Sequence, residues 1–101
     1  MNTKDLKCFQ AVYEERSVSR AARRLFITPQ GLSKNIRQLE EELHAVLFVR
    51  TSHGMAPTES GRFLYERSGR VIRQLEEIEN GLRQLEQRRE RIRIGCANGA
   101  L

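Results

Sequence analysis

Six basic side chains lie between residues 16 and 37 without one carboxylate among them: Arg16, Arg20, Arg23, Arg24, Lys34 and Arg37. That grouping makes a local positive field of the kind that attracts phosphate. Gln30 sits inside it, and its amide offers one donor and one acceptor, the complement of an adenine edge. Lys34 follows one helical turn later and offers only donors. Arg37 can reach guanine or phosphate, or pair with Glu40 or Glu41 on its own helix. Thr28 and Ser33 are suited to phosphate. Further along, Arg50, Thr51, Ser52 and His53 form a second polar cluster that could touch a nucleic acid.

These residues need elements to hold them. Thr28-Pro29 is the strongest helix start in the chain, with a capping oxygen followed by a proline at the first helical position. The helix it opens runs to about residue 43. Leu32, Ile36, Leu39 and Leu43 keep its inner stripe, so Thr28, Gln30, Ser33, Lys34 and Arg37 are left on or near the outer face, and these with Pro29 are the candidate DNA-binding residues of the helix. Upstream, Ser17 caps a short helix over residues 18–25 whose centre, Ala21-Ala22, is small enough for a close crossing. Phe26-Ile27 is the tight connection between the two helices, and the pair has the lengths of a helix-turn-helix. A first helix over residues 4–15 is expected with Thr3 as its cap, and Leu6, Phe9, Val12 and Tyr13 make its core stripe. Residues 46–50 and 55–58 flank the turn Thr51-Ser52-His53-Gly54 and predict a two-stranded wing, with Pro57 at a strand end.

Thr58 caps a last helix carried to about residue 89. Leu64, Val71, Leu75, Ile78, Leu82 and Leu85 form a seam along it, with heptad spacing from Val71 onward. A helix of about thirty residues is roughly 45 Å long. A head of this size cannot cover that seam, so a second copy of the chain is expected against it. Ile92-Arg93-Ile94-Gly95-Cys96 alternates like a strand and predicts the start of a further domain. The expected organisation is mainly α: a winged helix-turn-helix over residues 1–58, a linker and dimerisation helix over 59–90, and the first residues of an effector-binding domain over 91–101.

Composition narrows the function. The formal net charge is +5, from 18 Lys+Arg against 13 Asp+Glu. Cys8 and Cys96 match no metal or redox spacing, and Cys8 reads as a buried thiol. Metal ligands, paired carboxylates, a Ser/His/Asp order and a phosphate-cradling glycine loop are all lacking, which sets an enzyme aside. No signal peptide and no bilayer-length apolar run is present, so a cytoplasmic location without membrane contact is expected. His44 reads as a residue of a helix end, and Arg88-Arg89-Glu90-Arg91 as a solvated helix surface. The competing reading is a coiled-coil interaction module with a basic head. Such a module has no need of uncompensated basic residues around a capped helix.

The stretches L-K-C-F-Q-A-V at 6–12, S-V-S-R-A-A-R-R-L-F-I-T-P-Q-G-L-S-K-N-I-R-Q-L-E-E-E-L at 17–43, L-F-V-R at 47–50 and P-T-E-S-G at 57–61 resemble the N-terminal region of LysR-type transcriptional regulators. The tail I-R-I-G resembles the start of that family's effector-binding domain. The resemblance implies sequence-specific binding of double-stranded DNA, with Arg50 on the backbone and the wing tip near the minor groove. It also implies that a small-molecule effector would be taken only by the missing C-terminal domain, with no cofactor in this chain. The expected homodimer leaves room for a tetramer of the full-length protein. The chain departs from the family at the helix start. Pro29-Gln30-Gly31 stands where Gln, Pro and Ala are common, so Gln30 could read a base or reach back to cap its own helix.

Overall fold

The structure, a computed structural model, describes residues 1–95, with side chains through Arg89. Its elements are α1 (Thr3–Glu15), α2 (Val18–Leu25), α3 (Pro29–Leu43), β1 (Phe48–Thr51), β2 (Gly54–Pro57) and α4 (Glu59–Gly95). Residues 1–70 form one compact unit, and α4 from Val71 onward belongs to a second. The head therefore reaches further along the chain than residue 58 and takes in the first turns of α4.

Three of the four helices start where cap chemistry predicts. Ser17 accepts the Arg20 N–H, and Thr28 the Gly31 N–H at 3.0 Å. Thr58 accepts the Gly61 N–H at 3.0 Å. The first helix differs: its cap is Asn2, not Thr3. Asn2 accepts the Asp5 N–H, and the Asp5 carboxylate accepts the Asn2 N–H. Only Asn2 has an acid three residues on, so only Asn2 can form this reciprocal box.

The core of the head is built from Cys8, Phe9, Ala11 and Val12 of α1, Ala21 and Ala22 of α2, Leu32, Ile36 and Leu39 of α3, then Leu47 and Phe48. The buried face of α2 is two alanines, which lets its neighbours approach its backbone. The Phe9 ring meets the Phe48 ring at 5.3 Å between centroids and joins the wing to the helices. Leu43 and Tyr13 are half-buried at the core margin. Burial pushes the Cys8 thiol pKa up, against a smaller pull from Lys4, so it stays a protonated core group.

The wing pairs Phe48 with Pro57, Val49 with Ala56, Arg50 with Met55 and Thr51 with Gly54. Pro57 ends its strand, where its missing N–H costs no ladder bond. The wing is lashed to the turn after α1, because the Met55 N–H donates to the Arg16 carbonyl at 3.0 Å. Gly54 sits there at φ 120°, and a Cβ would meet the Arg16 carbonyl oxygen at 2.4 Å, so this position admits only glycine. Gly61 is required by proximity: a Cβ there would lie 2.2 Å from the Leu47 carbonyl oxygen.

The start of α4 packs on α1. Tyr65 stacks on Tyr13 at 3.9 Å and 6° between ring planes, and Gln10 Nε2 donates to the buried Ser68 Oγ at 3.3 Å. Leu64, expected in the α4 seam, is half-buried against the head core. The other five seam residues, Val71, Leu75, Ile78, Leu82 and Leu85, are all exposed, at 38–59%.

Residues Ile92 to Gly95 correct an expectation. They continue α4 and do not form a strand. A strand must hydrogen-bond to a neighbour, and β1 and β2 pair only with each other among the described residues, whereas a helix satisfies its own backbone. Cys96 and the residues after it lie outside the described residues.

Candidate nucleic-acid interface

The N-terminal half of α3 presents its polar side chains outward because Leu32, Ile36 and Leu39 take the inner positions. Pro29, Gln30, Lys34 and Arg37 are exposed, and Ser33 is half-buried beside them. The first acid of the helix is Glu40, so its positive end is not neutralised locally. The Gln30 amide makes no hydrogen bond among the described residues. Capping is done by Thr28 Oγ1, which leaves Gln30 available to a partner. A Cβ at Gly31 would lie 3.0 Å from that oxygen, so glycine gives the cap its room.

The wing brings its arginine to the same place. Ser33, Arg37 and Glu40 of α3 and Arg50 of β1 line one small crevice of about 130 Å3 together with Val18, Ile36, Phe48 and Met55. Arg50 is exposed, as are Ser52 and His53 at the wing tip. Thr51 is engaged within the turn: its hydroxyl donates to the Gly54 carbonyl at 3.2 Å and accepts the His53 N–H at 3.2 Å. It shapes the tip that Ser52 and His53 present.

Two basic residues behave differently from their neighbours. Arg24 pairs with Glu14 at 2.7 Å and Glu15 at 3.4 Å, so the acid-free stretch is compensated across the fold at that point. Arg16 lies over the Tyr13 ring at 4.9 Å and donates to the Tyr13 carbonyl at 2.7 Å. Arg37 has no ion-pair partner among the described residues. Of the two acids expected to be able to hold it, Glu40 and Glu41, neither does so among the described residues, and Glu40 accepts the Leu47 N–H at 2.6 Å and the Phe48 N–H at 3.3 Å. Glu40 thereby ties the first residue of the wing to α3. Nothing in the sequence marks this role, because the acceptor serves backbone donors seven and eight residues away.

Arg24 belongs to a chain of polar contacts behind the presented face. The Tyr65 hydroxyl donates to Glu14 Oε2 at 2.7 Å, while Glu14 Oε1 holds Arg24. The Tyr65 bond, then Arg24, hold the Glu14 carboxyl below its ordinary range against a desolvation that raises it. The same bond pushes the Tyr65 hydroxyl up.

His44 closes α3 in the left-handed region at φ 53°, as its place at a helix end suggests. Among the described residues no group of three or more His, Cys, Asp or Glu side chains gathers to hold a metal ion, and no helix is long and apolar enough to cross a membrane.

Three helices, the second and third forming a helix-turn-helix, with a two-stranded wing and a long following helix, define a winged helix-turn-helix module. Residues 3–62 match the bacterial regulatory helix-turn-helix protein, lysR family, and the chain belongs to that family. It is 34% identical over 100 residues to the nitrogen assimilation regulatory protein nac of Klebsiella aerogenes, which covers 98% of this chain and 33% of that protein. It is 36% identical over 95 residues to the HTH-type transcriptional regulator YofA of Bacillus subtilis (strain 168), covering 94% of this chain and 33% of the relative. The chain thus spans about a third of the length of these curated relatives. Among solved structures, it is similar to BenM_DBD in a complex with catB site 1 DNA, with a TM-score of 0.81 and 31% identity over 85% of this chain and 97% of that one. It is likewise similar to CbnR_DBD in a complex with DNA, with a TM-score of 0.81 and 27% identity over 85% and 99% of the two chains.

Proposed function

We propose that this chain is the sequence-reading part of a LysR-type transcription regulator, a binding module and not an enzyme. It binds double-stranded DNA with α3 in the major groove and the wing, residues 48–57, on the backbone and minor groove. Gln30 and Lys34 reach base edges, while Thr28, Ser33 and Arg50 hold phosphates. The observation that carries this reading is the convergence on one crevice of Arg37 and Arg50, neither in an ion pair among the described residues, with Gln30 exposed in the first turn of the helix that carries Arg37. The DNA complexes of BenM_DBD and CbnR_DBD, similar over most of the chain, support it. A DNA-reading role also places the chain with the chromosome, in the cytoplasm.

The exposed seam Val71, Leu75, Ile78, Leu82 and Leu85 supports a homodimer through α4, with tetramers reserved for the full-length protein. A small-molecule effector, in this reading, is bound outside this chain, which needs no cofactor of its own.

The test is a salt titration of binding to duplex DNA. Affinity should fall on a log–log plot with a slope of roughly −0.9 per phosphate neutralised, and Arg50→Ala should reduce that slope by about one. Binding that ignores salt would contradict the proposal.

A further inference from the structure

Helices α1, α2 and α3 all end on a non-glycine residue in the left-handed region: Arg16, Phe26 and His44. That conformation suits glycine, and histidine tolerates it better than most residues. Arg16 is held there by its contacts with Tyr13. Phe26 closes α2 with backbone bonds, its own N–H to the Arg23 carbonyl at 3.3 Å and the Ile27 N–H to the Ala22 carbonyl at 3.0 Å. Its side chain takes no part: at φ 59° it is 94% exposed, so a bulky aromatic stands in a conformation that suits glycine and gains no burial. An exposed aromatic that the fold does not use marks a surface for a partner.

The residues on either side of Phe26 show what that is. Leu25 and Ile27 line a crevice of about 360 Å3 together with Cys8, Thr3, Lys4 and Lys7 of α1. Its lining is mostly apolar, both charged members are lysines, and no acid takes part. Arg23, exposed in the last turn of α2, adds a further positive charge nearby in the chain. Lys4 and Lys7 are on the first turns of α1, whereas the wing is lashed to Arg16 just past its other end, roughly 15 Å away along the helix. The crevice shares no lining residue with the one formed by Ser33, Arg37 and Arg50.

We infer that this crevice, together with the exposed Phe26 that stands in the chain between its lining residues Leu25 and Ile27, docks an acidic segment of another protein that carries an apolar anchor. The anchor fills the space between Cys8, Leu25 and Ile27, the Phe26 ring provides an aromatic shelf, and carboxylates on the segment meet Lys4 and Lys7. The inference extends to the DNA-bound regulator: Ile27 directly precedes Thr28, and the segment docks beside the start of α3 without displacing the duplex.

The probe is a synthetic amphipathic peptide with leucines at helical spacing among glutamates, titrated into the whole chain saturated with a mixed-sequence duplex at low salt. The titration is repeated on the DNA-free Lys34→Ala/Arg37→Ala chain, so that it stands apart from DNA reading. The peptide should bind in both settings, and a twin with lysines for glutamates should not. Phe26→Gly and Lys4→Glu/Lys7→Glu should each weaken the peptide by about tenfold or more. Phe26→Gly relieves the left-handed strain, so its melting temperature should hold or rise and misfolding cannot account for the loss. Failure of the peptide to bind the wild-type chain overturns the inference, as does unchanged affinity in Phe26→Gly. A fall in duplex affinity in Phe26→Gly would assign the patch to DNA. A fall in oligomer mass by light scattering would assign it to a second copy, and either result overturns the inference too.

Discussion

The head and the distal part of α4 use the same kinds of residue in opposite ways. In residues 1–70, Phe9, Val12, Leu32, Leu39 and Leu47 are turned inward and almost wholly buried. From Val71 on, five large aliphatic side chains at heptad spacing are exposed in the single chain. The head closes on itself because three helices and a wing supply enough surface for one small core. A lone helix has no second layer, so its apolar stripe is a request for a partner. Burial within the chain, then, marks what folds the head, and the exposed periodicity is the surface that the proposed dimer would cover.

Breaking each half of that comparison should give a different failure. Ile78→Glu with Leu82→Glu would bury two carboxylates per chain in a dimer seam, at a cost on the order of 5 kcal/mol per dimer. Light scattering should then report the monomer mass in place of about twice 11.7 kDa, with the head still folded. A wild-type chain that is already monomeric at micromolar concentration would remove the dimer altogether. Phe9→Ala should do the converse. It empties a fully buried site beside Phe48 and should cost about 3–5 kcal/mol, seen as loss of the thermal transition of the head.

Smaller changes sharpen the boundary. Tyr65→Phe removes the donor to Glu14 and should cost under about 1 kcal/mol, since the site is largely in water. Its signature is in pH. The Glu14 carboxyl is held below its ordinary value in the fold, so its contribution is present above about pH 4.5 and is lost as pH falls through the lowered value. Tyr65→Phe should therefore flatten the acid side of the stability curve while changing the neutral plateau little. His44→Gly relieves a left-handed residue and should stabilise the head by up to about 1 kcal/mol in denaturant unfolding.

Legibility in the sequence followed the range of the interaction. Ser17, Thr28 and Thr58 announce helix starts because a cap is made within three residues. Asn2 and Thr3 are both cap-forming types, and the deciding partner, Asp5, is easily credited to the wrong one. The alternation Ile92-Arg93-Ile94 cannot tell a strand from a helix, since the choice depends on a neighbouring strand. The presented face of α3 was readable from the periodicity of Leu32, Ile36 and Leu39. Two contacts across the fold were not readable: Glu40 turns to the wing backbone, and Arg24 turns back to Glu14 and Glu15. Leu64 fits the heptad seam by spacing, yet the fold uses it against the head core. Phe26 looked like a connector residue, and only its backbone angle and exposure mark it as a surface feature.

In the proposed function, the exposed N-terminal turn of α3 reads bases. The direct measurement is selection of duplexes from a random pool by the wild-type chain and by Gln30→Ala, with specific and non-specific affinities and the melting curve taken at one salt concentration. The wild type should enrich one site built of two related half-sites, as a dimer requires. Gln30→Ala should lose roughly 1–3 kcal/mol on that site, flatten the preference at one base pair of each half, and keep its non-specific affinity and melting temperature. An unchanged preference at every base pair of the site would contradict the claim.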